Sequence, residues 1–185
     1  MKTYIFSNCK KTDFKTYGHN LLAKVPKDAR LIILNQGNVY YNVPEFKQYP
    51  NQNFIMRGGG THGLECYFGS YALIGTDRNN LVSDVIWFRP SIKTARLLIG
   101  HKDNHVDDLT IDTPWMEEYY KQTNGHHATT GYSAYFLVQD IYHVKPEDIY
   151  LVNFYGNNDT STNKDPEHNW NYEDQWLKDK QRIYC

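Results

Sequence analysis

Residues 126–156 read HHATTGYSAYFLVQDIYHVKPEDIYLVNFYG. Behind Thr129, Thr130 and Gly131, the residues Ala134, Leu137, Val138 and Ile141 fall at i, i+3, i+4 and i+7, the spacing of a helix with one packed face. Pro146 closes the turn that follows, and 149–155 is an apolar run suited to a strand buried on both faces. A helix feeding a doubly buried strand is the repeating unit of an α/β protein with a parallel sheet.

The rest of the chain fits that unit. Thr3–Phe6 reads as a short strand ending at Ser7-Asn8, and 31–34 as a second, ending at Asn35-Gln36-Gly37. The spacing allows a helix over 12–24 and another over 66–74. Pro44, Pro50 and Gly58-Gly59-Gly60 predict loops through 37–63. Strands are predicted at 85–88 and 95–99, and a helix at 115–122 with Pro114 in its first turn. Residues 156–167 are polar and read as a loop, 171–180 as a terminal helix, and 183–185 as a last strand. Asn8, Asn35 and Tyr155 therefore follow three strands. Open parallel sheets bind ligands at the carboxyl ends of their strands, and a helix opening at Thr130 would favour an anion there.

Composition narrows the class. The chain has 185 residues and a formal net charge of −1, which suits one domain over 1–185. A pI near 6.7 argues against a nucleic-acid binder that relies on a broad basic face. A mean hydropathy of −0.71, with no apolar run long enough for a spanning helix, argues against a transmembrane segment. The start, MKTYIFSNCKK, is too short in apolar residues for a signal peptide, so the expected location is the cytoplasm, free or peripheral at the inner membrane. Cys9, Cys66 and Cys185 form no CxxC pair and read as free thiols. The 16 tyrosines favour polar clefts as well as a core, since each brings apolar area and a hydroxyl.

Four constellations could carry chemistry. RGGGTHG at 57–63 is either a flexible loop or a phosphate cradle built around Arg57, but it lacks the P-loop ending. His101, His105, Asp107 and Asp108, in HKDNHVDD, are either a solvated loop or ligands of a divalent metal, and a metal-dependent hydrolase is the function the second reading would give. Thr129-Thr130-Gly131 is either a plain helix cap or an anion site. His168, five residues before Glu173 in HNWNYE, is either an idle surface residue or a general base with a near-neutral pKa.

Taken together these pieces resemble the sialyltransferase superfamily, both the animal-type glycosyltransferase family 29 and the compact bacterial enzymes. Ser7-Asn8 and Leu31-Ile32-Ile33-Leu34-Asn35 are similar to the large motif, and Trp87-Phe88-Arg89-Pro90-Ser91 to its later strand. HHATTG followed by helix and strand resembles the small motif, and His168 with Glu173 the very small motif, H-x4-E. Asn35-Gln36, Thr129-Thr130-Gly131 and Asn153-Phe154-Tyr155 look like the NQ, TSG and DFY of the bacterial enzymes. The likeness covers residues 3–38, 84–91 and 126–185. It departs at Ser7, where the family has Gly, and at Asn153, where it has an acidic residue.

The resemblance implies a single Rossmann-like domain with a mainly parallel sheet, flanking helices and a mobile lid at about 156–168. It implies an inverting transferase that moves sialic acid from CMP-sialic acid to a hydroxyl of an acceptor glycan of the lipooligosaccharide or capsule type. CMP-Kdo is the alternative donor, and an inactive CMP- or glycan-binding relative is an alternative of another class. It assigns catalysis to His168 as base and to Tyr155 at the leaving phosphate. Donor binding falls to Asn8, Asn35, Thr129, Thr130 and Gly131, with Glu173 orienting the site. It implies no metal and no cofactor beyond the CMP-sugar.

Overall fold

The computed structural model describes residues 1–7, 22–34, 45, 48–57, 84–101, 105–156 and 166–184. It is an α/β protein built on one eight-stranded sheet. The strands are β1 (Thr3–Phe6), β2 (Arg30–Leu34), β3 (Asn51–Arg57), β4 (Asp84–Pro90), β5 (Thr94–Gly100), β6 (Val106–Asp112), β7 (Ile149–Val152) and β8 (Gln181–Ile183). Three helices are described: α1 (Pro114–Gln122), α2 (Thr130–Tyr142) and α3 (Trp170–Trp176).

The strand order is β6-β5-β4-β3-β2-β1-β7-β8. Every pairing from β4 through β8 in that order is parallel, and β5 and β6 extend the sheet as antiparallel strands. The chain begins in the middle at β1, builds outward through β2, β3 and β4, and returns to the other side of β1 with β7. The order reverses between β1 and β7, and crevices at such reversals are where open α/β sheets bind ligands.

All four residues of β1 are buried, as expected of a central strand covered on both faces. Successive side chains alternate between faces. Tyr4, Phe6, Leu31, Ile33, Val85 and Trp87 pack on one side with Leu22, Val25 and Tyr49. Ile5, Ile32, Leu34, Ile86 and Phe88 pack on the other with Ala134, Leu137 and Val138 of α2. The predicted helical stripe thus lies against the sheet. Because α2 ends at the turn leading into the start of β7, its amino terminus lies at the carboxyl edge of the parallel strands.

Two expectations about the sheet are corrected. Residues 37–63 were expected to be loops, yet 51–57 form β3, an interior strand. Its polar start, Asn51-Gln52-Asn53 behind Pro50, hides a strand whose Gln52 and Asn53 are buried between neighbours; the Gln52 amide donates to the Tyr49 carbonyl at 3.2 Å. The HKDNHVDD stretch was expected to be either a solvated loop or a set of metal ligands, and from Val106 it is β6. Its charges suit an open edge, where they discourage pairing with a further strand. Other differences are smaller. The strand from Ile149 stops at Val152 because Asn153 adopts φ 60°, outside strand geometry. The terminal helix shortens to α3 plus a 3-10 turn, Leu177–Asp179, and the last strand is β8. The helix expected over 12–24 falls mostly outside the described residues, and that over 66–74 wholly so, as do most of the lid and the three cysteines.

Leu137 is fully buried between α2 and the sheet. Leu137→Ala is expected to cost about 2–5 kcal/mol of stability, read as a fall in the urea midpoint with an unchanged slope.

Candidate active site

The site is built around the first turn of α2. A helix leaves its first four amides without internal partners. Thr129 caps the turn, its hydroxyl oxygen accepting from the Tyr132 amide at 3.1 Å. Its own amide and hydroxyl donate to Glu173, at 2.8 Å to Oε1 and 2.6 Å to Oε2. Glu173 is buried on α3, and its Oε1 also accepts from the Tyr119 hydroxyl at 3.0 Å. The Tyr119 oxygen in turn accepts from the Asn169 amide at 3.3 Å. Burial, and then the Glu173 carboxylate beside it, push the Tyr119 phenol far above the usual tyrosine range, so it stays a donor at every working pH.

A carboxylate at a helix amino terminus is favoured by the helix dipole as well as by direct hydrogen bonds. Here that carboxylate comes from the protein's own Glu173. Thr129 is therefore engaged with Glu173 and Tyr132, and Thr130 and Gly131 follow it in the first turn.

Aromatic packing fixes the three helices around this network. The Tyr119 ring meets Tyr132 at 4.7 Å and Tyr172 at 5.1 Å, both edge-on, and Tyr132 lies 4.7 Å from Trp176. Part of the tyrosine excess is thus structural, joining α1, α2 and α3.

His168 lies half-buried just ahead of α3. Its Nδ1 is 2.7 Å from the carbonyl oxygen of His127. A carbonyl only accepts, so Nδ1 carries the proton and the neutral ring has its basic lone pair on Nε2. The His127 amide donates to the Glu167 carbonyl at 3.0 Å. Backbone and side-chain bonds thus join HHATTG to HNWNYE, two segments about forty residues apart by the separations 41 and 44 of their bonded pairs.

Tyr155 belongs to the exit of β7. Its hydroxyl donates to the Asn153 side-chain carbonyl at 3.4 Å, and its ring lies 5.0 Å from that of Tyr184. Asn153 is buried, and its amide donates to the Ile183 carbonyl at 2.9 Å. Its own carbonyl accepts from the Ser7 hydroxyl at 2.6 Å, across the strand-order reversal. Gly131 connects this exit to α2: a Cβ there would lie 2.5 Å from Cε1 of Phe154. Only glycine lets the first turn of α2 pack so closely on the residue before Tyr155.

The structure thus brings Thr129, Glu173 and the His168 segment into one bonded network, and joins Gly131 through Phe154 to the Tyr155 turn. Asn8 and Asn35 lie outside the described residues, though β1 and β2, the strands before them, end at this same edge. Sequence reasoning missed Tyr119, the reach of the Ser7 hydroxyl to Asn153 and the backbone role of Asn153. For Tyr119 the one available signal was general: a buried tyrosine hydroxyl needs a partner.

The His/Asp cluster is elsewhere. Gly100 pairs with Val85 at the start of β4, so His101 lies at the amino edge of the parallel strands, opposite the site. Nε2 atoms of His101 and His105 reach Asp107 at 3.0 and 2.7 Å, and these contacts hold the Asp107 carboxyl below its usual range. Arg96 takes Asp108 through two bonds, at 2.9 and 2.6 Å. Among the described residues no group of three or more His, Cys, Asp or Glu could hold a metal ion. The glycines of RGGGTHG are not among the described residues. No helix among the described residues is long and apolar enough to cross a membrane.

Comparison with known proteins returned no matching protein family, no matching curated protein and no matching solved structure.

Glu173→Gln would turn one acceptor into a donor facing the Thr129 or Tyr119 donors. A loss of about 1–3 kcal/mol in stability is expected by chemical denaturation. An unchanged midpoint would mean the carboxylate does not hold the first turn of α2.

Proposed function

We propose that this chain is an inverting glycosyltransferase of the sialyltransferase type, with a Rossmann-like fold, that moves a carboxylated sugar from its CMP-linked donor to a hydroxyl of an acceptor glycan. The observation that carries the reading is the meeting of HHATTG with HNWNYE at the carboxyl edge of the sheet, through Glu173 on Thr129 and His168 on His127. The resemblance pairs these two motifs in one site, and nothing in their separation along the chain requires them to touch.

In this reading Nε2 of His168 removes the proton of the acceptor hydroxyl. The resulting oxygen attacks the anomeric carbon as the bond from that carbon to the CMP phosphate breaks, and CMP leaves with the bonding pair. In-line attack inverts the anomeric configuration. Negative charge develops on the leaving phosphate, so donors aimed at it lower the barrier. Tyr155 supplies one: its 3.4 Å bond to Asn153 is long, and a phosphate oxygen is a stronger acceptor than an amide carbonyl. The amides of Thr130 and Gly131, at the positive end of α2, hold the sugar carboxylate or ribose. Asn8 and Asn35 donate to phosphate and ribose. Glu173 acts through Thr129, setting the position of that first turn. The 156–168 segment would close as a lid over the donor.

Sialic acid and Kdo are both carboxylated ulosonic acids, so both donors are candidates. The deciding experiment incubates the protein with CMP-sialic acid and CMP-Kdo separately and measures CMP release with and without glycan acceptors. Binding of CMP with no turnover of either donor would favour the inactive relative. Absence of both binding and release would remove the transferase reading.

His168→Ala is expected to lower transfer roughly 10²–10⁴-fold while CMP affinity holds. Transfer near the wild-type rate would exclude His168 as the base. Tyr155→Phe should lower kcat more than donor affinity; a pure affinity loss would contradict a leaving-group role.

A further inference from the structure

Ser7 stands at the exit of β1, directly before Asn8 in the chain. Its amide and its hydroxyl bond to consecutive carbonyls at the end of β7. The amide donates to the Val152 carbonyl at 3.1 Å, and the hydroxyl to that of Asn153 at 2.6 Å. The amide bond continues the parallel pairing of Phe6 with Val152. The hydroxyl adds one further bond where the backbone after β7 has already left strand geometry, at the φ of 60° of Asn153.

Asn153 is thus held from both sides. Its amide donates to the Ile183 carbonyl of β8 at 2.9 Å while Ser7 holds its carbonyl. Asparagine adopts the left-handed conformation more readily than most residues with a side chain. The turn that starts there closes at Gly156, again left-handed at φ 58°, where a Cβ would collide with the Asp174 carboxylate. Tyr155 lies between these two fixed points. The bond at the base of the turn, from Ser7, is 2.6 Å; the bond at its tip, from the Tyr155 hydroxyl to the Asn153 side chain, is 3.4 Å. The first lies in the normal range for a hydroxyl donor and the second lies outside it. The turn is therefore anchored at its base, and the phenol can exchange the Asn153 acceptor at little cost.

We propose that Ser7 is a positioning residue for Tyr155: its hydroxyl fixes the left-handed Asn153 and thereby aims the phenol at a phosphate bound between β1 and β7. Ser7 touches no reacting atom and acts through the turn. It also ties the strand exit that leads into Asn8 to the one that carries Tyr155. The inference rests on the transferase reading for its chemistry, but the placement of Tyr155 by Ser7 can be read without turnover.

The test follows Tyr155 by NMR of protein carrying isotope-labelled tyrosine rings, its signal identified by its loss in Tyr155→Phe. Ser7→Ala is expected to shift that signal, and Ser7→Thr, which keeps the hydroxyl, to restore it. CMP is the ligand probe, and its addition to the wild type is expected to shift the signal as the phenol exchanges Asn153 for phosphate. Where transfer from CMP-sialic acid or CMP-Kdo occurs, Ser7→Ala should lower kcat about three- to ten-fold, the worth of one such hydrogen bond, with the donor KM little changed. The same substitution placed on Tyr155→Phe should lower kcat no further, because the group it positions is gone. A merely structural loss would act equally in both backgrounds. A Tyr155 signal unmoved by Ser7→Ala, or an equal fall in kcat with and without the Tyr155 hydroxyl, overturns the assignment. A signal that shifts with Ser7→Ala in a protein that binds no CMP upholds Ser7 as the residue that places Tyr155 and removes the donor reading instead.

Discussion

The bond on which the site depends is the one between the Glu173 carboxylate and Thr129. It crosses from α3 to the start of α2 and satisfies an amide that the helix cannot satisfy itself. With Tyr119 donating to the same carboxylate and accepting from Asn169, one buried acid fixes three helices and the segment that carries His168. Removing such an acceptor leaves buried donors unpaired, which costs more than the net gain from forming an average hydrogen bond. The positions of the proposed base and of the α2 amides are therefore not independent.

That arrangement changes how the threonine pair is understood. Read along the sequence, Thr129 and Thr130 are equivalent candidates for holding an anion. In the fold they divide. Thr129 is taken up by the internal carboxylate and by the cap to Tyr132, whereas Thr130 lies one residue further into the helix. Any anionic ligand at this turn also meets the nearby charge of Glu173. In the proposed reading, the sugar carboxylate or ribose would lie nearer Thr130 and Gly131 than Thr129, with the leaving phosphate nearer Tyr155.

Much of the sheet could be read from the sequence because its central strands are continuous apolar runs and α2 carries a clean helical stripe. Those signals are local. β3 was hidden because Gln52 and Asn53 are polar, and only pairing on both sides by β2 and β4 makes a strand of them. β6 was hidden because an edge strand has no buried face to impose alternation. The motifs HHATTG and HNWNYE were visible as chemistry, but their contact was not, since it runs in part through the His127 carbonyl and the Thr129 amide, backbone groups that no residue type announces. Tyr119 looks in sequence like any core residue of an amphipathic helix.

The Ser7 hydroxyl reaches a carbonyl 146 residues away, at Asn153, whose amide is held by Ile183 and whose side chain meets Tyr155. The crevice between β1 and β7 is therefore assembled from segments near positions 5, 150 and 183, and no short stretch of chain contains it. Contacts of such separation form late, after loop-closure entropy has been overcome. The β1–β7 junction therefore exists only once segments 146 residues apart have met. A nucleotide that binds there would favour the completed fold over every partly folded form, and would stabilise the protein in proportion to its occupancy.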